Sequence, residues 1–178
     1  RENKDVFLNL EVKSTPFKMG LTPIPSDTVS LILKDIDTYK LEDRIIISSF
    51  DWRILYELKK QNSRILRGFI TLQQDLSTTK KNIYENSPWM AKNYSLDQLF
   101  LIPNIIKSLE GHAWSAFYRD VTKQNVELAH KHGLATCVWT VNREQDIIRM
   151  IEYGVDGIIT DYPKKVQEIC KSKNIAWF

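Results

Sequence analysis

The chain has 178 residues, 43% apolar and 26% charged, with a formal net charge of +3. That length suits one domain with a real core. The basic residues are scattered among nearly as many acidic ones, which speaks against nucleic acid as a partner, because that needs a basic stripe with interleaved aromatics.

Residues 6–12 read as a strand. Side chains two apart in a strand share a face, so Glu11 and Lys13 stand together while Leu8, Leu10 and Val12 take the other side. A carboxylate beside an ammonium on a strand otherwise suited to burial is costly unless something pairs with it. A metal ion for Glu11 and a phosphate for Lys13 would both meet that need. Residues 16–25 form a loop holding Gly20 and three prolines. Asp27 is expected to cap a helix running to Tyr39, with Val29, Ile32, Leu33 and Ile36 inward. Residues 44–50 have strand length and apolarity. Asp51 then caps a helix over 52–61, and 65–71 is a further strand.

The stretch 73–93 is polar and irregular, long for a plain connection. It reads as a loop with a task, a flexible lid or an unrecognised helix. Residues 96–106 read as a helix, followed by a short extended segment after His112. Thr122 caps a helix over 123–132 closed by Gly133, and 134–141 is a strand. Asn142 is expected to cap the helix 143–153, closed by Gly154. A strand over 155–160 follows, then a last helix opened by Pro163, for which Asp161 is the expected cap. The strands are continuous apolar runs alternating with helices, which argues for a parallel sheet covered by helices.

Functional side chains of such folds gather where strands end. Those ends are Glu11 and Lys13, then Ser48-Ser-Phe-Asp51, then Trp139-Thr-Val-Asn142, then Thr160-Asp-Tyr-Pro163. Ser48 and Ser49 have no histidine at a comparable strand end to activate them, so strand-end hydrogen bonding is their expected role. Cys137 falls in a strand and Cys170 in a late helix. Two such cysteines suggest neither a disulfide framework nor a zinc site and fit a reducing, cytoplasmic location. No apolar run nears the length of a membrane span, so no stable membrane insertion is expected.

Five segments carry a resemblance: L-N-L-E-V-K at 8–13, I-I-I-S-S-F-D at 45–51, A-W-S-A-F-Y-R-D-V-T at 113–122, V-W-T-V-N at 138–142 and G-V-D-G-I-I-T-D-Y-P at 154–163. Together, in this order and spacing, the chain resembles the glycerophosphodiester phosphodiesterase family, built on a (β/α)8 TIM barrel. The resemblance implies Glu11 as ligand to a divalent cation, Ca2+ or Mg2+. It implies Lys13 as the catalytic candidate facing the phosphodiester. It places Trp139, with Phe50 as a companion, against the glycerol side of a small-molecule substrate.

The family also has an H-R-G strand, an E-x-D strand and an H-D pair, which this sequence lacks. The three histidines, His112, His130 and His132, match none of those positions. The expectation is therefore a single incomplete domain over 1–178, lacking the first two barrel strands, with another segment or a second chain supplying them. Such a chain is expected to be inactive alone. The alternatives are a lipid head-group phosphodiesterase on the same barrel, with Trp89 and Met90 as lipid contacts, and a non-catalytic remnant of the fold.

Overall fold

The computed structural model describes residues 6–17 and 20–176. Residues 18 and 19 of the expected loop over 16–25 lie outside it. Among the described residues six strands alternate with helices: β1 (Leu8–Glu11), α1 (Pro25–Tyr39), a 3-10 turn (Glu42–Arg44), β2 (Ile45–Ser49), α2 (Trp52–Gln61), β3 (Leu66–Thr71), α3 (Leu96–Leu99), α4 (Ile102–Ser108), β4 (Ala113–Phe117), α5 (Lys123–Lys131), β5 (Ala135–Trp139), α6 (Glu144–Tyr153), β6 (Gly157–Ile158) and α7 (Pro163–Ser172). The strands form one sheet in sequence order β1-β2-β3-β4-β5-β6, every pair parallel.

The register divides the side chains between two faces. Leu10, Ile47, Arg67, Trp114 and Thr136 fall on one, and Glu11, Ser48, Gly68, Ala113 and Ala135 on the other. The first face is covered by helices, and Ile47, Phe69, Trp114 and Val138 on it are buried. The second face is concave. Strands three apart in a flat sheet lie about 14 Å from one another. Yet the Phe50 ring after β2 and the Trp139 ring on β5 meet at a centroid distance of 5.4 Å, so the sheet curls. Small residues permit the curl: a Cβ on Gly157 would stand 2.7 Å from Cys137 Sγ.

Local chemistry explains most helix ends. Asp51 caps α2 through the Arg53 amide at 3.2 Å, and Thr122 caps α5 through the Asn125 amide at 3.2 Å. Gly154 closes α6 in the left-handed conformation at φ 81°.

Five expectations are corrected. Helix α1 starts at Pro25 with Ile24 before it, because proline is pre-set for the first helical position; Asp27 lies in the first turn, where it favours the helix dipole. The expected helix over 96–106 is two helices, and Pro103 accounts for the break: it has no amide to continue the first and suits the start of the second. Arg143, not Asn142, occupies the cap position of α6. Asp161 does not cap α7, whose cap position is Tyr162 without a side-chain bond. Strands β1 and β6 are shorter than 6–12 and 155–160, although ladder-like bonds from the Val12 amide to Ser48 O (2.8 Å) and the Ile159 amide to Val138 O (2.8 Å) prolong both.

At the N-terminal ends of β3 and β4 sits a buried polar cluster. The Arg67 guanidinium donates through Nη1 and Nη2 to backbone carbonyls of Ser63 (3.1 Å), Ile65 (3.0 Å) and Glu110 (2.7 Å), while its buried Nε has no partner among the described residues. The Arg67 amide donates to His112 Nδ1 at 3.2 Å. Burial, and then the Arg67 charge, hold His112 below its ordinary pKa. The unfolded chain therefore binds the proton more readily, so this contribution to stability is full above the unfolded value of about 6.5 and is lost as pH falls through the folded value. Urea midpoints are expected to drop between pH 7.5 and pH 5, with a shallower drop in His112→Gln. Equal slopes in the two proteins would contradict this role.

Candidate active site

The C-terminal end of the curled sheet gathers the sequence-derived candidates. Glu11 ends β1 opposite Ser48, and Ser48 Oγ donates to Asn9 Oδ1 at 2.8 Å, so Asn9, Glu11 and Ser48 share the concave face. Phe50 lies two residues beyond Ser48 on the same side. Its ring meets Trp139 edge-on at 76°, and Trp139 also touches Phe117 at 5.3 Å. The Trp139 indole N–H donates to the Ser115 carbonyl at 3.1 Å, which fixes the ring's orientation. Phe50 and Trp139 are thus brought together as one aromatic wall, with Phe117 as a third member that the sequence reading missed. Its period-two position, level with Trp139, was the available signal.

Glu11 and Lys13 are exposed, and among the described residues neither side chain has an ion-pair or hydrogen-bond partner, not even each other. The expected cost of burying the pair does not arise, because β1 is an edge strand with Leu8 and Leu10 also 38% and 43% exposed. What is fixed is the backbone around Lys13. The Val12 carbonyl accepts from Ser49 Oγ at 2.7 Å. Ser14 Oγ donates to Asp51 Oδ2 at 2.7 Å. Asp51 is fully buried and grips Arg53 through both oxygens, at 2.8 and 2.7 Å; this hydrogen bonding raises the Arg53 pKa. Lys13 therefore projects from a segment anchored on both sides. Ser14, Ser49 and Asp51 do that anchoring, as the strand-end reading of Ser49 anticipated. Sequence reasoning placed Asp51 at a strand end and as a cap, and did not find Ser14.

At the far side, Asn142 ties two strand-end loops together. Its Oδ1 accepts from the Asp161 amide at 3.0 Å and Thr160 Oγ1 at 3.1 Å, and its Nδ2 donates to Asp161 Oδ2 at 2.7 Å. That is where the two supposed capping side chains are used. The stretch 73–93 is an ordered loop rather than a helix. Asp120 holds its start through the Gln73 amide (2.8 Å) and Gln74 Nε2 (2.7 Å). Met90 is buried, and Trp89 packs against Phe17 at 5.6 Å, so Met90 offers no surface for lipid contact.

The histidines lie elsewhere. His112 precedes β4. His132 bonds Asn104 Oδ1 at 2.6 Å, and His130 bonds Asp156 Oδ2 at 2.8 Å. Asp156 in turn accepts from the Thr136 amide near the start of β5. A hard divalent cation takes about six or more oxygen ligands. Among the described residues no three His, Cys, Asp or Glu side chains cluster to hold a metal, so Glu11 by itself is one donor and not a metal site. A cavity of about 170 Å³ lies beside the anchored segment, lined by Ser14, Asp51 and Arg53, and two larger ones follow the edges of the sheet. One, of about 280 Å³, lies between Leu8 and Leu10 of β1 and Ile32 and Ile36 of α1. The other, of about 620 Å³, lies along β6, α6 and α7.

A curled parallel sheet wrapped by helices, with polar and aromatic side chains collected at its strand C-terminal ends, defines an α/β protein of the barrel class. The family model described as Glycerophosphoryl diester phosphodiesterase family matches residues 2–165, and the chain belongs to that family. It is similar to a glycerophosphodiester phosphodiesterase of Caldanaerobacter subterraneus subsp. tengcongensis, 32% identical over 162 residues, which cover 91% of this chain and 54% of the relative. A Bacillus subtilis glycerophosphodiester phosphodiesterase is 24% identical over 141 residues, 78% of this chain and 47% of its own. Among solved structures, one from Silicibacter pomeroyi, assigned to the glycerophosphoryl diester phosphodiesterases, superposes with a TM-score of 0.76 at 31% identity, over 97% of this chain and 52% of that one. An Oleispira antarctica phosphodiesterase in complex with its product sn-glycerol-3-phosphate shares the fold at a TM-score of 0.67 and 19% identity, over 93% of this chain and 55% of that one. The chain spans about half the length of the relatives it matches. Among the described residues no helix is long and apolar enough to cross a membrane.

Proposed function

We propose that the chain carries part of the active site of an enzyme hydrolysing glycerophosphodiesters to glycerol 3-phosphate and an alcohol. The observation that carries this reading is Lys13, without a partner among the described residues, held at an anchored strand end on the concave side that also bears Phe50 and Trp139. Attack at phosphorus adds negative charge to the non-bridging oxygens, and a fixed ammonium stabilises that charge more than it stabilises the ground state. The paired rings present an apolar wall to the glycerol carbons. Glu11 is proposed as one ligand of Ca2+ or Mg2+, which when bound would add positive charge beside the phosphate.

The general acid and base are proposed to come from outside the three histidines present. Two further parallel strands, from another segment or a second chain, would pair with the free edges of β1 and β6. Titration calorimetry with sn-glycerol 3-phosphate tests the phosphate role. Lys13→Met is expected to weaken binding about tenfold to a hundredfold, the worth of one charge-assisted hydrogen bond. Unchanged affinity would refute the assignment. Ca2+ or Mg2+ affinity left unaltered by Glu11→Ala would remove the metal role.

A further inference from the structure

The aromatic wall is supported by a residue that belongs to neither strand nor wall. Asn82, fully buried in the loop between β3 and α3, spends its whole amide on strand ends. Its Nδ2 donates to the Phe50 carbonyl at 3.0 Å and the Ile70 carbonyl at 2.9 Å, and its Oδ1 accepts from the Leu72 amide at 2.8 Å. The Asn82 amide donates to the Leu72 carbonyl at 3.1 Å. Ser87 Oγ closes the turn onto the Asn82 carbonyl at 2.6 Å.

The placement matters because the β2–β3 ladder stops at Ser49 opposite Phe69. Beyond that point the two chains diverge, β2 into the cap of α2 and β3 into the long loop. Phe50 is the first residue past the ladder, and its carbonyl is buried polar surface that needs a donor. Asn82 supplies the donor and bridges the diverging ends with a single side chain.

We infer that Asn82 is a positioning residue for the substrate wall: by holding the Phe50 backbone it sets the Phe50 ring against Trp139. Asparagine suits this task. Aspartate keeps the acceptor for the Leu72 amide but has no amide donors for Phe50 and Ile70. The inference rests on the reading of Phe50 and Trp139 as the glycerol-side wall, although the ring placement itself can be measured without any substrate.

The experiment uses the full chain labelled with 5-fluorotryptophan, with each 19F resonance assigned by a Trp→Phe variant. The Trp139 resonance is expected to move in Asn82→Asp in the same direction as in Phe50→Leu, and less far in Ser87→Ala. This last variant keeps the Asn82 amide and removes the 2.6 Å bond behind it, together with a long 3.4 Å bond from the Trp89 amide to Ser87 Oγ, so it covers the case in which Asn82→Asp does not fold. Sn-glycerol 3-phosphate is expected to bind Asn82→Asp about tenfold more weakly than the parent. A Trp139 resonance unmoved in Ser87→Ala and in folded Asn82→Asp would overturn the positioning role, whatever the thermal stability of the variants. A moved resonance with unchanged affinity would overturn its link to the substrate while leaving the Lys13 assignment standing. Failure of the parent chain to bind sn-glycerol 3-phosphate would instead count against the proposed function, with the ring shift still deciding the role of Asn82.

Discussion

Glycerophosphocholine incubated with the purified 178-residue chain is expected to be hydrolysed no faster than in buffer. Hydrolysis needs one group to take a proton from water and another to give one to the departing alkoxide, within about 3 Å of the reacting atoms or through one water. His112 is committed to the Arg67 amide, His130 to Asp156 and His132 to Asn104. His112 precedes β4, and His130 and His132 end the helix before β5, whereas Trp139 closes β5 at its opposite end. A strand of that length spans about 15 Å, well beyond reach of the mouth. Positioned acid–base groups contribute about 100-fold to 10,000-fold each, so their loss leaves the rate far below the ordinary enzyme range of about 1 to 1,000 per second. Phosphorus NMR over a day is the suitable measurement. Metal-dependent release of glycerol 3-phosphate faster than in buffer would sink the claim, and about one turnover per second would already be an ordinary enzyme rate.

Trp52→Ala is expected to destabilise the fold by about 3–5 kcal/mol. Trp52 is fully buried where α2 meets the sheet. Its ring packs edge-on against Phe69 at 5.0 Å, and its indole N–H donates to the Ile70 carbonyl at 3.1 Å. Its own amide donates to the Trp89 carbonyl at 2.8 Å, so α2, β3 and the long loop meet at this residue. Alanine would leave a cavity and take one donor from a buried carbonyl. Against a typical total of about 5–15 kcal/mol, the variant would be marginal, and its thermal midpoint should fall by roughly 6–20 °C. A loss below about 1 kcal/mol, the size of an ordinary substitution, would show that the site collapses around the gap.

The strand–helix rhythm was legible because it is written locally. Apolar runs such as 45–47 and caps such as Asp51 and Thr122 act within a few residues of themselves. Two of the errors share a cause. Asn142 and Asp161 look like helix caps to any local reading, since short polar side chains before a helix usually are. In the folded chain they meet each other across the ends of β5 and β6, 19 residues apart in sequence. The break at Pro103 is of another kind: the periodicity over 96–106 is mixed, and the proline within it marks the boundary.

Glu11, Lys13, Phe50 and Trp139 could be named from strand-end position and family resemblance, and their period-two spacing placed Glu11 and Lys13 on one face. That Phe50 and Trp139 touch was not legible, because it depends on how far the sheet curls between β2 and β5. Curl is a sum of small twists and close approaches, such as Cys137 against Gly157, that no single residue announces. The supports of the mouth were hidden for the same reason: Asn82 reaches Phe50 across 32 residues and Ser14 reaches Asp51 across 37. Sequence determined the strand–helix alternation and the parallel sheet, because those follow from local periodicity and strand ends. Only the tertiary structure decided which side chains meet there and what holds them, because buried polar groups choose partners by proximity in space and not by distance along the chain.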